Sequence, residues 1–260
     1  MDRPSMDQGA ARTAAELRLQ LAQVTAASQM LERTATDESS RKYLAALEQG
    51  VCRMLRTVGR LELSQRLGGD AGPELQRKPV DLALLSNELG ARLGELLAWA
   101  EVELAVSTPD HLLAQADEGL IRQLLMELVS NGAKAGSRVT LTLVRREDRA
   151  VFTVEDNGPG IPPERLGYLF SSAEEAAPDW RRGGVGVAIA RRVAALHGGT
   201  LVADCAPGRG LRAVASIPLG VSEGVELRDP GAAWDSGGFD EELIALSGLL
   251  PAGAFGPNLK

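Results

Sequence analysis

The stretch Glu127–Lys134, with the sequence ELVSNGAK, decides the fold when it is taken together with Asp156–Ile161, with the sequence DNGPGI. Apolar residues recur at helical spacing through the first stretch and in the residues before it. This periodicity predicts a helix that has Asp117 as its N-cap and runs to about Ala135. The second stretch follows a run of alternating apolar residues, which predicts a turn at the end of a strand.

Glu127, Asn131 and Lys134 share one stripe of the predicted helix, because successive residues are about 100° apart around the helix axis. The stripe lies away from the main apolar face. An acid, an amide and an ammonium side by side have the chemistry to hold a metal-bound polyphosphate. The alternative is a solvated face with a helical Glu–Lys pair, which is the commoner fate of charged side chains.

Composition excludes several classes of protein. The chain has 260 residues, 44% of them hydrophobic and 24% charged, a net charge of −7, and only 3% aromatic residues. An acidic chain with few aromatic rings is not expected to bind nucleic acid, which requires a basic surface. We find no signal-peptide pattern and no apolar run of about 18 residues, so no membrane span is expected. Cys52 and Cys205 are isolated, which favours a reduced, cytoplasmic environment.

The N-terminal part is predicted to be a helical hairpin over residues 10–68, after a loose leader over residues 1–10. Apolar residues follow a three–four spacing on both sides of a polar break at Thr34–Ser40. We expect the hairpin to dimerise into a four-helix bundle, because its apolar seams are too long for one hairpin to bury. The alternative is a monomeric hairpin that packs on the next domain. The seam residues are Leu17, Leu21, Val24, Ser28 and Leu31 in the first helix, and Leu44, Leu47, Val51, Met54, Val58 and Leu61 in the second.

A linker rich in Gly and Pro follows at residues 69–79, and a second domain is predicted over residues 80–219. Its helices are interspersed with antiparallel strand pairs, which indicates an α+β layer of helices against one mixed sheet. The remaining residues, 220–260, are predicted to be a flexible tail with a short amphipathic helix at Phe239–Leu250. That helix is too short to be stable alone, so we expect it to dock on its own domain or on a partner.

Two glycine-rich segments of the second domain carry candidate binding chemistry. Asp156 ends a strand, where its carboxylate can accept a hydrogen bond from an exocyclic amine such as that of adenine. Gly158 and Gly160 would let a flat ring approach the backbone. A simple Asn-Gly turn is the alternative. The segment 181–187, with the sequence RRGGVGV, leads into a helix, and backbone N–H groups there can bind an anion. Its alternative is a flexible loop before a plain helix start. Residues 162–182 would be a mobile cover.

The order of these segments resembles the N, G1, F and G2 boxes of sensor histidine kinases. The matching positions are Glu127-xxx-Asn131-xx-Lys134, Asp156-x-Gly158-x-Gly160-Ile161, Tyr168-Leu-Phe170, and Gly184-x-Gly186-x-Ala188-Ile189. The resemblance implies an α+β two-layer sandwich, the fold shared with gyrase-type topoisomerases and heat-shock ATPases. It also implies a site for ATP and Mg²⁺.

The resemblance gives each box residue a role. Asn131 is similar to the Mg²⁺ ligand, a role that an amide oxygen suits. Glu127 resembles the catalytic group that activates the attacking nucleophile or orients water. Asp156 would hold the adenine amine with Gly160 under the ring. The other residues assigned to the nucleotide site are Lys134, Arg182, Gly184 and Gly186 for the phosphates, and Gly158, Ile161, Phe170 and Val185 as members of the same boxes.

The resemblance is incomplete at three positions of the second domain. Arg182 stands where the second loop often opens with Gly, and Leu211 stands where a Thr often follows the last Gly. Gly132 replaces the usual small Ala. These differences predict a lower affinity for nucleotide without excluding binding.

The hairpin resembles the dimerisation and phosphoacceptor domain of the same family, but it contains no histidine. The family sequence HELRTPL is matched by Ala15–Leu21, with the sequence AELRLQL, so Ala15 occupies the phosphoacceptor position. The two histidines, His111 and His197, lie in the second domain, and His197 is interpreted as a helix C-cap.

The leading hypothesis is therefore a dimeric, ATP-binding signalling protein of the two-component type that cannot phosphorylate its own hairpin. It would phosphorylate a partner, hydrolyse ATP slowly, or use the nucleotide as a conformational switch. A non-catalytic scaffold that binds a response regulator or a kinase is the second hypothesis. A serine kinase of the anti-sigma type is the third, although such proteins usually lack the hairpin.

Overall fold

A computed structural model describes residues 4–34, 37–68, 73–161, 184–205, 208, 210–220 and 240–255. The helices are α1 (Pro4–Glu32), α2 (Glu38–Leu67), α3 (Leu82–Ala98), α4 (Glu118–Ala135), α5 (Gly184–Leu196) and α6 (Glu241–Leu246), followed by a 3-10 helix at Ala252–Phe255. The strands are β1 (Lys78–Asp81), β2 (Glu103–Ser107), β3 (Leu113–Ala116), β4 (Arg138–Arg146), β5 (Arg149–Asp156), β6 (Thr200–Cys205) and β7 (Leu211–Pro218).

A five-stranded mixed sheet with the strand order β2-β4-β5-β7-β6 forms one layer of the domain. The β2–β4 pair is parallel and the other three pairs are antiparallel. Every second residue of β4 is buried, because helices α3, α4 and α5 cover one face of the sheet. The predicted α+β two-layer sandwich is confirmed. A separate two-stranded sheet, β1 with β3, was not predicted, and β1 begins inside the segment expected to be a linker.

Helix α4 has the predicted bounds, and its sequence shows why. The side chain of Asp117 accepts a hydrogen bond from the backbone N–H of Leu120, which satisfies one of the free donors of the first turn. Leu120, Ile121, Leu124 and Leu125 pack in the core. The helix ends at Ala135 with Gly136 as its C-cap, and the residues that follow enter β4.

The hairpin of α1 and α2 packs on the following domain. The first helix begins at Pro4, so the expectation of a loose leader over residues 1–10 is wrong from Pro4 onward. The last turns of α2 belong to the core of the second domain, since Leu63 and Leu67 are buried there. In addition, Arg192 on α5 donates a hydrogen bond to the carbonyl of Leu67 at 2.7 Å.

Only part of the predicted apolar seam is buried within the hairpin. Leu21, Val51 and Val58 of the seam form one cluster between the two helices together with Ala14 and Leu55. Six other seam residues are exposed on the two helices at intervals of seven residues. The exposed stripe consists of Leu17, Val24, Leu31, Leu47, Met54 and Leu61.

The C-terminal segment, residues 240–255, docks on its own chain between the hairpin and helices α3 and α4. Leu246, Leu250 and Phe255 are buried in the main core, and Ile244 packs against the hairpin cluster. The predicted helix at Phe239–Leu250 is shorter in the structure, because it ends at Leu246 and a turn follows. The segment was predicted to dock on its own domain or on a partner, and in the structure it packs on its own chain.

No helix in the described part of the chain is both long enough and apolar enough to cross a membrane.

Candidate functional site

A cavity of about 220 Å³ lies between α4, α5 and the sheet. Its wall is mostly apolar and has two polar side chains, Asn131 and Asp156. Four residues of the predicted site line it, namely Asn131, Asp156, Gly160 and Ile161. The remaining wall residues are Leu128, Gly132, Ala135, Val154, Pro159, Val187, Leu201, Ala203, Leu211 and Ala213.

Asp156 is the last residue of β5, and its side chain is held by the backbone around it. Its Oδ1 accepts hydrogen bonds from the backbone N–H groups of Gly158 at 2.8 Å and Leu211 at 3.3 Å. The residue is 8% exposed, and among the described residues its Oδ2 has no partner. One oxygen thus fixes the carboxylate, while the other is free to accept a hydrogen bond from a ligand.

Two glycines in the left-handed region of backbone conformation border Asp156. Gly160 has a φ of +74° and Gly210 a φ of +75°, values that other residues rarely adopt. A Cβ on Gly210 would also lie 1.8 Å from the carbonyl oxygen of Asp156. The close approach of these two segments therefore requires glycine at position 210.

Ile161 is held at the rim of the cavity by Cys205, a residue that was not predicted to belong to the site. The backbone N–H of Ile161 donates to Sγ of Cys205 at 2.8 Å, and Sγ lies 3.3 Å from the carbonyl oxygen of Ile161. Cys205 ends β6, so the contact attaches the loop after Asp156 to the far edge of the sheet. Only the pairing of strands that are distant in sequence makes this contact visible.

Asn131 is half-buried in the cavity wall, and its side-chain amide has no hydrogen-bond partner among the residues the structure describes. An amide oxygen that faces a cavity without a partner suits a hard cation such as Mg²⁺. The described residues hold no cluster of three acidic, histidine or cysteine side chains for a metal. A single protein ligand is nevertheless usual for Mg²⁺ that is bound mainly through phosphates and water.

Glu127 lies one turn before Asn131, and it is buried rather than solvated. It is 3% exposed, and the side chain of Arg60 from α2 and Gly186 of α5 lie against its carboxylate. The Nε of Arg60 donates to its Oε1 at 2.7 Å, the Nη2 of Arg60 donates to its Oε2, and Gln123 donates to Oε1 at 3.3 Å. The interpretation of this stripe as a solvated face with a Glu–Lys pair is therefore wrong at Glu127, whose ionic partner is Arg60.

The first turn of α5 lies against the same carboxylate. The helix begins at Gly184, inside the glycine-rich segment that was predicted to precede it, so Gly184, Val185 and Gly186 are all helical. A Cβ on Gly186 would lie 2.4 Å from Oε2 of Glu127 and 3.0 Å from Nη2 of Arg60. Glycine at 186 thus lets α5 approach the ion pair, while Val187 reaches the cavity.

Comparison with known proteins identifies the fold and family of the domain. Residues 116–221 match the family described as histidine kinase-, DNA gyrase B-, and HSP90-like ATPases. The chain contains a domain of the histidine-kinase-like ATPase family. The circadian input-output histidine kinase CikA of Synechococcus elongatus is 31% identical over 220 residues, which is 78% of this chain and 28% of that protein.

Two further comparisons extend beyond the ATPase domain. The adaptive-response sensory kinase SasA of Parasynechococcus marenigrum is 32% identical over 56% of this chain and 40% of its own length. The crystal structure of full-length ShkA in complex with AMPPNP superposes with a TM-score of 0.68 and 28% identity, and covers 83% of this chain and 46% of that one. This chain therefore spans less than half the length of each of these relatives.

Lys134 is not brought to the cavity of the histidine-kinase-like ATPase domain. It is exposed and lines a separate cleft with Trp99 and Leu249. Desolvation, followed by repulsion from Arg56 and Arg60, lowers the pKa of Lys134 to about 8, although the residue as a whole remains exposed. Lys134 therefore does not line this cavity, and its predicted contact with a bound nucleotide stays a prediction. Tyr168, Phe170 and Arg182 lie outside the described residues.

The two histidines of the chain lie outside the hairpin. His197 is 4% exposed, and its Nε2 accepts a hydrogen bond from the backbone N–H of Asp117 at 3.1 Å. Its Nδ1 lies 2.8 Å from the carbonyl oxygen of Val193. Burial lowers the pKa of His197 and favours the neutral ring. His111 is exposed at the surface beside Asp81, with Nδ1 at 2.7 Å from Oδ2.

The structure shows the contacts of two residues at which the sequence differs from the family pattern, Gly132 and Leu211. A Cβ on Gly132 would lie 3.3 Å from a methyl group of Val139, so the usual Ala would need a small shift of that neighbour. Leu211 lines the cavity where a hydroxyl would otherwise stand, and its backbone N–H holds Asp156. The cavity is more apolar as a result.

Proposed function

We propose that the chain is an ATP-binding signalling protein of the two-component type that uses nucleotide to control a partner and lacks its own phosphoacceptor. The observation that carries the proposal is Asp156. Its Oδ1 is fixed by two backbone N–H groups and its Oδ2 is open toward an apolar cavity. A flat heterocycle with an exocyclic amine, such as adenine, matches this combination.

Mg²⁺ would be held by the side-chain oxygen of Asn131 together with the phosphates of the nucleotide. The metal would neutralise phosphate charge and orient the nucleotide. Gly160 would lie under the adenine ring, and the first turn of α5, from Gly184 to Gly186, would offer N–H groups to the phosphates. AMPPNP in the complex of ShkA is consistent with this class of ligand.

The state of Glu127 favours nucleotide as a conformational switch over self-phosphorylation. Both of its carboxylate oxygens accept hydrogen bonds from Arg60, so neither is placed to take a proton from a nucleophile. Ala15, at the position of the acceptor, is exposed and has only a methyl side chain. Glu127 could act as the catalytic group only after the hairpin moves away, and its phosphoryl acceptor would be on another protein.

The exposed stripe of the hairpin supports a homodimer. Leu17, Val24 and Leu31 repeat every seven residues on α1, and Leu47, Met54 and Leu61 do the same on α2. Two such stripes facing each other would complete a four-helix bundle. The binding partner we propose for this dimer is a response regulator or a second kinase, in the cytoplasm. A scaffold without nucleotide remains the alternative, and nucleotide binding separates the two.

Thermal unfolding with and without Mg-ATP tests the proposal. A ligand present at 100 times its dissociation constant stabilises a protein by about 2.7 kcal/mol, which raises the unfolding temperature. We expect this shift in the wild type and a much smaller one in Asp156→Asn and Asn131→Asp. The absence of a shift in the wild type at millimolar Mg-ATP would favour the scaffold. Incubation with labelled ATP then tests the missing acceptor, since acid-labile phosphate on this chain would contradict it.

A further inference from the structure

Two arginines of the hairpin lie against the stripe of α4 that carries Glu127. Arg60 binds Glu127 through Nε and Nη2, and the Nη2 of Arg56, one turn earlier on α2, donates to Oγ of Ser130 at 2.7 Å. Neither guanidinium is fully exposed. Two arginines therefore meet one carboxylate at the contact between the hairpin and the ATPase domain, and Lys134 adds a third positive charge close enough to be repelled by both.

The charge of Arg56 is not balanced within the part of the chain that the structure describes. Its hydrogen bond is to a neutral hydroxyl, and its Nε is buried without a partner among those residues. Desolvation, then repulsion from Arg60, lowers the pKa of Arg56 to about 10. Because buried charges are normally paired, an anion bound here would relieve the excess positive charge.

The excess charge lies beside the first turn of α5. The position of a Cβ on Gly186 would be 3.0 Å from Nη2 of Arg60, so the guanidinium touches this turn. The side chain of Asp156 packs on Gly132 of α4. Gly132 follows Glu127 by five residues, so the two positions are about 7.5 Å apart along the helix axis. The arginines thus stand at some distance from Asp156, at the end of the site where the proposed function puts the phosphates.

We propose that Arg60, supported by the charge of Arg56, recognises the terminal phosphate of a bound nucleoside triphosphate. The hairpin then distinguishes the triphosphate from the diphosphate. This inference rests on the proposed function. Arg60 has a donor to spare, because Nη1 has no hydrogen bond to any described residue. A phosphate that carries two negative charges competes with Glu127 for the guanidinium, and planar guanidinium groups bind phosphate oxygens well.

A consequence of this competition is that the nucleotide acts on the contact between the two parts of the chain. In the absence of a terminal phosphate, Glu127 holds Arg60 and the hairpin stays on the ATPase domain. With a triphosphate bound, Arg60 is drawn toward the phosphate and Glu127 loses its partner. The hairpin, whose exposed stripe is the proposed dimer surface, thereby responds to the state of the nucleotide.

Calorimetric titration of the full chain with Mg-ATP and with Mg-ADP tests the inference through the ratio of the two dissociation constants. We expect the wild type to prefer ATP and Arg60→Met to lose about tenfold or more of that preference. Arg53→Met is the matched control, because Arg53 is on the same helix but donates to the carbonyl of Ser247 at 3.1 Å. It should keep the wild-type ratio. Glu127→Gln should strengthen the ATP preference, since the competing carboxylate is gone.

Arg60→Met can lose the ATP preference because Arg60 no longer binds the terminal phosphate or because the unpaired Glu127 repels it. The double variant Arg60→Met/Glu127→Gln removes the repulsion and so distinguishes these two causes. We expect it to lack the ATP preference as Arg60→Met does, and a restored preference would overturn the inference. Equal binding of ATP and ADP by the wild type would also overturn it and leave the proposed function intact. An equal loss of affinity for ATP and for ADP in Arg60→Met would likewise overturn the inference and leave the proposed function intact. Binding of neither nucleotide by the wild type would refute the proposed function itself.

Discussion

Arg60 on the hairpin and Glu127 on α4 form a two-point ion pair that joins the two parts of the chain. The Nε of Arg60 donates to Oε1 of Glu127 at 2.7 Å and Nη2 donates to Oε2, with the Arg60 side chain 20% and the Glu127 side chain 4% exposed. These residues are 67 positions apart in sequence. The carboxylate that the family resemblance assigns to catalysis is therefore a structural contact in this arrangement.

The first prediction concerns the strength of this pair. Removal of one partner leaves the other buried without compensation, so Arg60→Met should lower the free energy of unfolding by about 2–4 kcal/mol. Urea unfolding of both single variants and of the double variant with Glu127→Gln measures the coupling, which we expect to be about 1–3 kcal/mol. Additive effects of the two substitutions would show that the pair does not stabilise the contact.

A second prediction concerns the C-terminal segment, which joins the hairpin to the domain. Leu250 is 1% exposed, and its carbonyl oxygen accepts a hydrogen bond from Gln49 on α2 at 2.6 Å. Leu250→Ala should therefore destabilise the chain by about 2–5 kcal/mol through the cavity it creates. Val202→Ala is the control, because Val202 is 56% exposed and its truncation should change stability by about 0.5 kcal/mol or less. Equal unfolding midpoints for the two variants would show that the segment does not dock in solution.

The exposed stripe of the hairpin gives a third prediction. Val24 and Met54 are 42% and 50% exposed on neighbouring helices of one hairpin. The double variant Val24→Glu/Met54→Glu should convert a dimer to a monomer, measured by light scattering after size exclusion. Leu19→Glu is the control, since Leu19 is 63% exposed but lies outside the stripe. A monomeric wild type would contradict the proposed dimer.

His197 gives a prediction about pH. Its pKa is lowered by burial, so the folded chain disfavours the protonated ring. The stability that neutral His197 contributes is complete above its ordinary pKa of about 6.5 and is lost as the pH falls through the lowered value. Urea midpoints of the wild type should therefore decrease as the pH falls below about 6.5, with a shallower decrease in His197→Gln. The same slope in both proteins would contradict this assignment.

The sequence was sufficient to predict the local helices and strands, and it was sufficient to predict the end of the site at Asp156. The Asp117 cap and the apolar spacing that follows it predicted α4 correctly, and the alternating residues before Asp156 predicted β5, because both signals are local. The environment of Glu127 could not be predicted in this way. Whether a charged stripe faces solvent or an arginine depends on how α2 packs, and no residue near Glu127 in sequence reports that packing.

The same limit explains Lys134 and Cys205. Helical spacing correctly predicted that Lys134 lies on the same side of α4 as Asn131. Asn131 lines the cavity, but Lys134, about one turn later, lines a separate cleft. Cys205 looked isolated, yet strand pairing brings it to Ile161, 44 positions earlier in the chain. The domain boundaries and the roles of the site residues stay predictions.

The most direct test of the account is the binding of ATP to Asp156→Asn compared with Asp204→Asn. Both changes remove one carboxylate, but Asp156 borders the cavity and Asp204 is exposed on β6. Calorimetric titration with Mg-ATP should show that Asp204→Asn binds like the wild type and that Asp156→Asn binds at least about tenfold more weakly, a loss of about 1.4 kcal/mol or more. Wild-type affinity in Asp156→Asn, or no binding by the wild-type chain, would contradict the account.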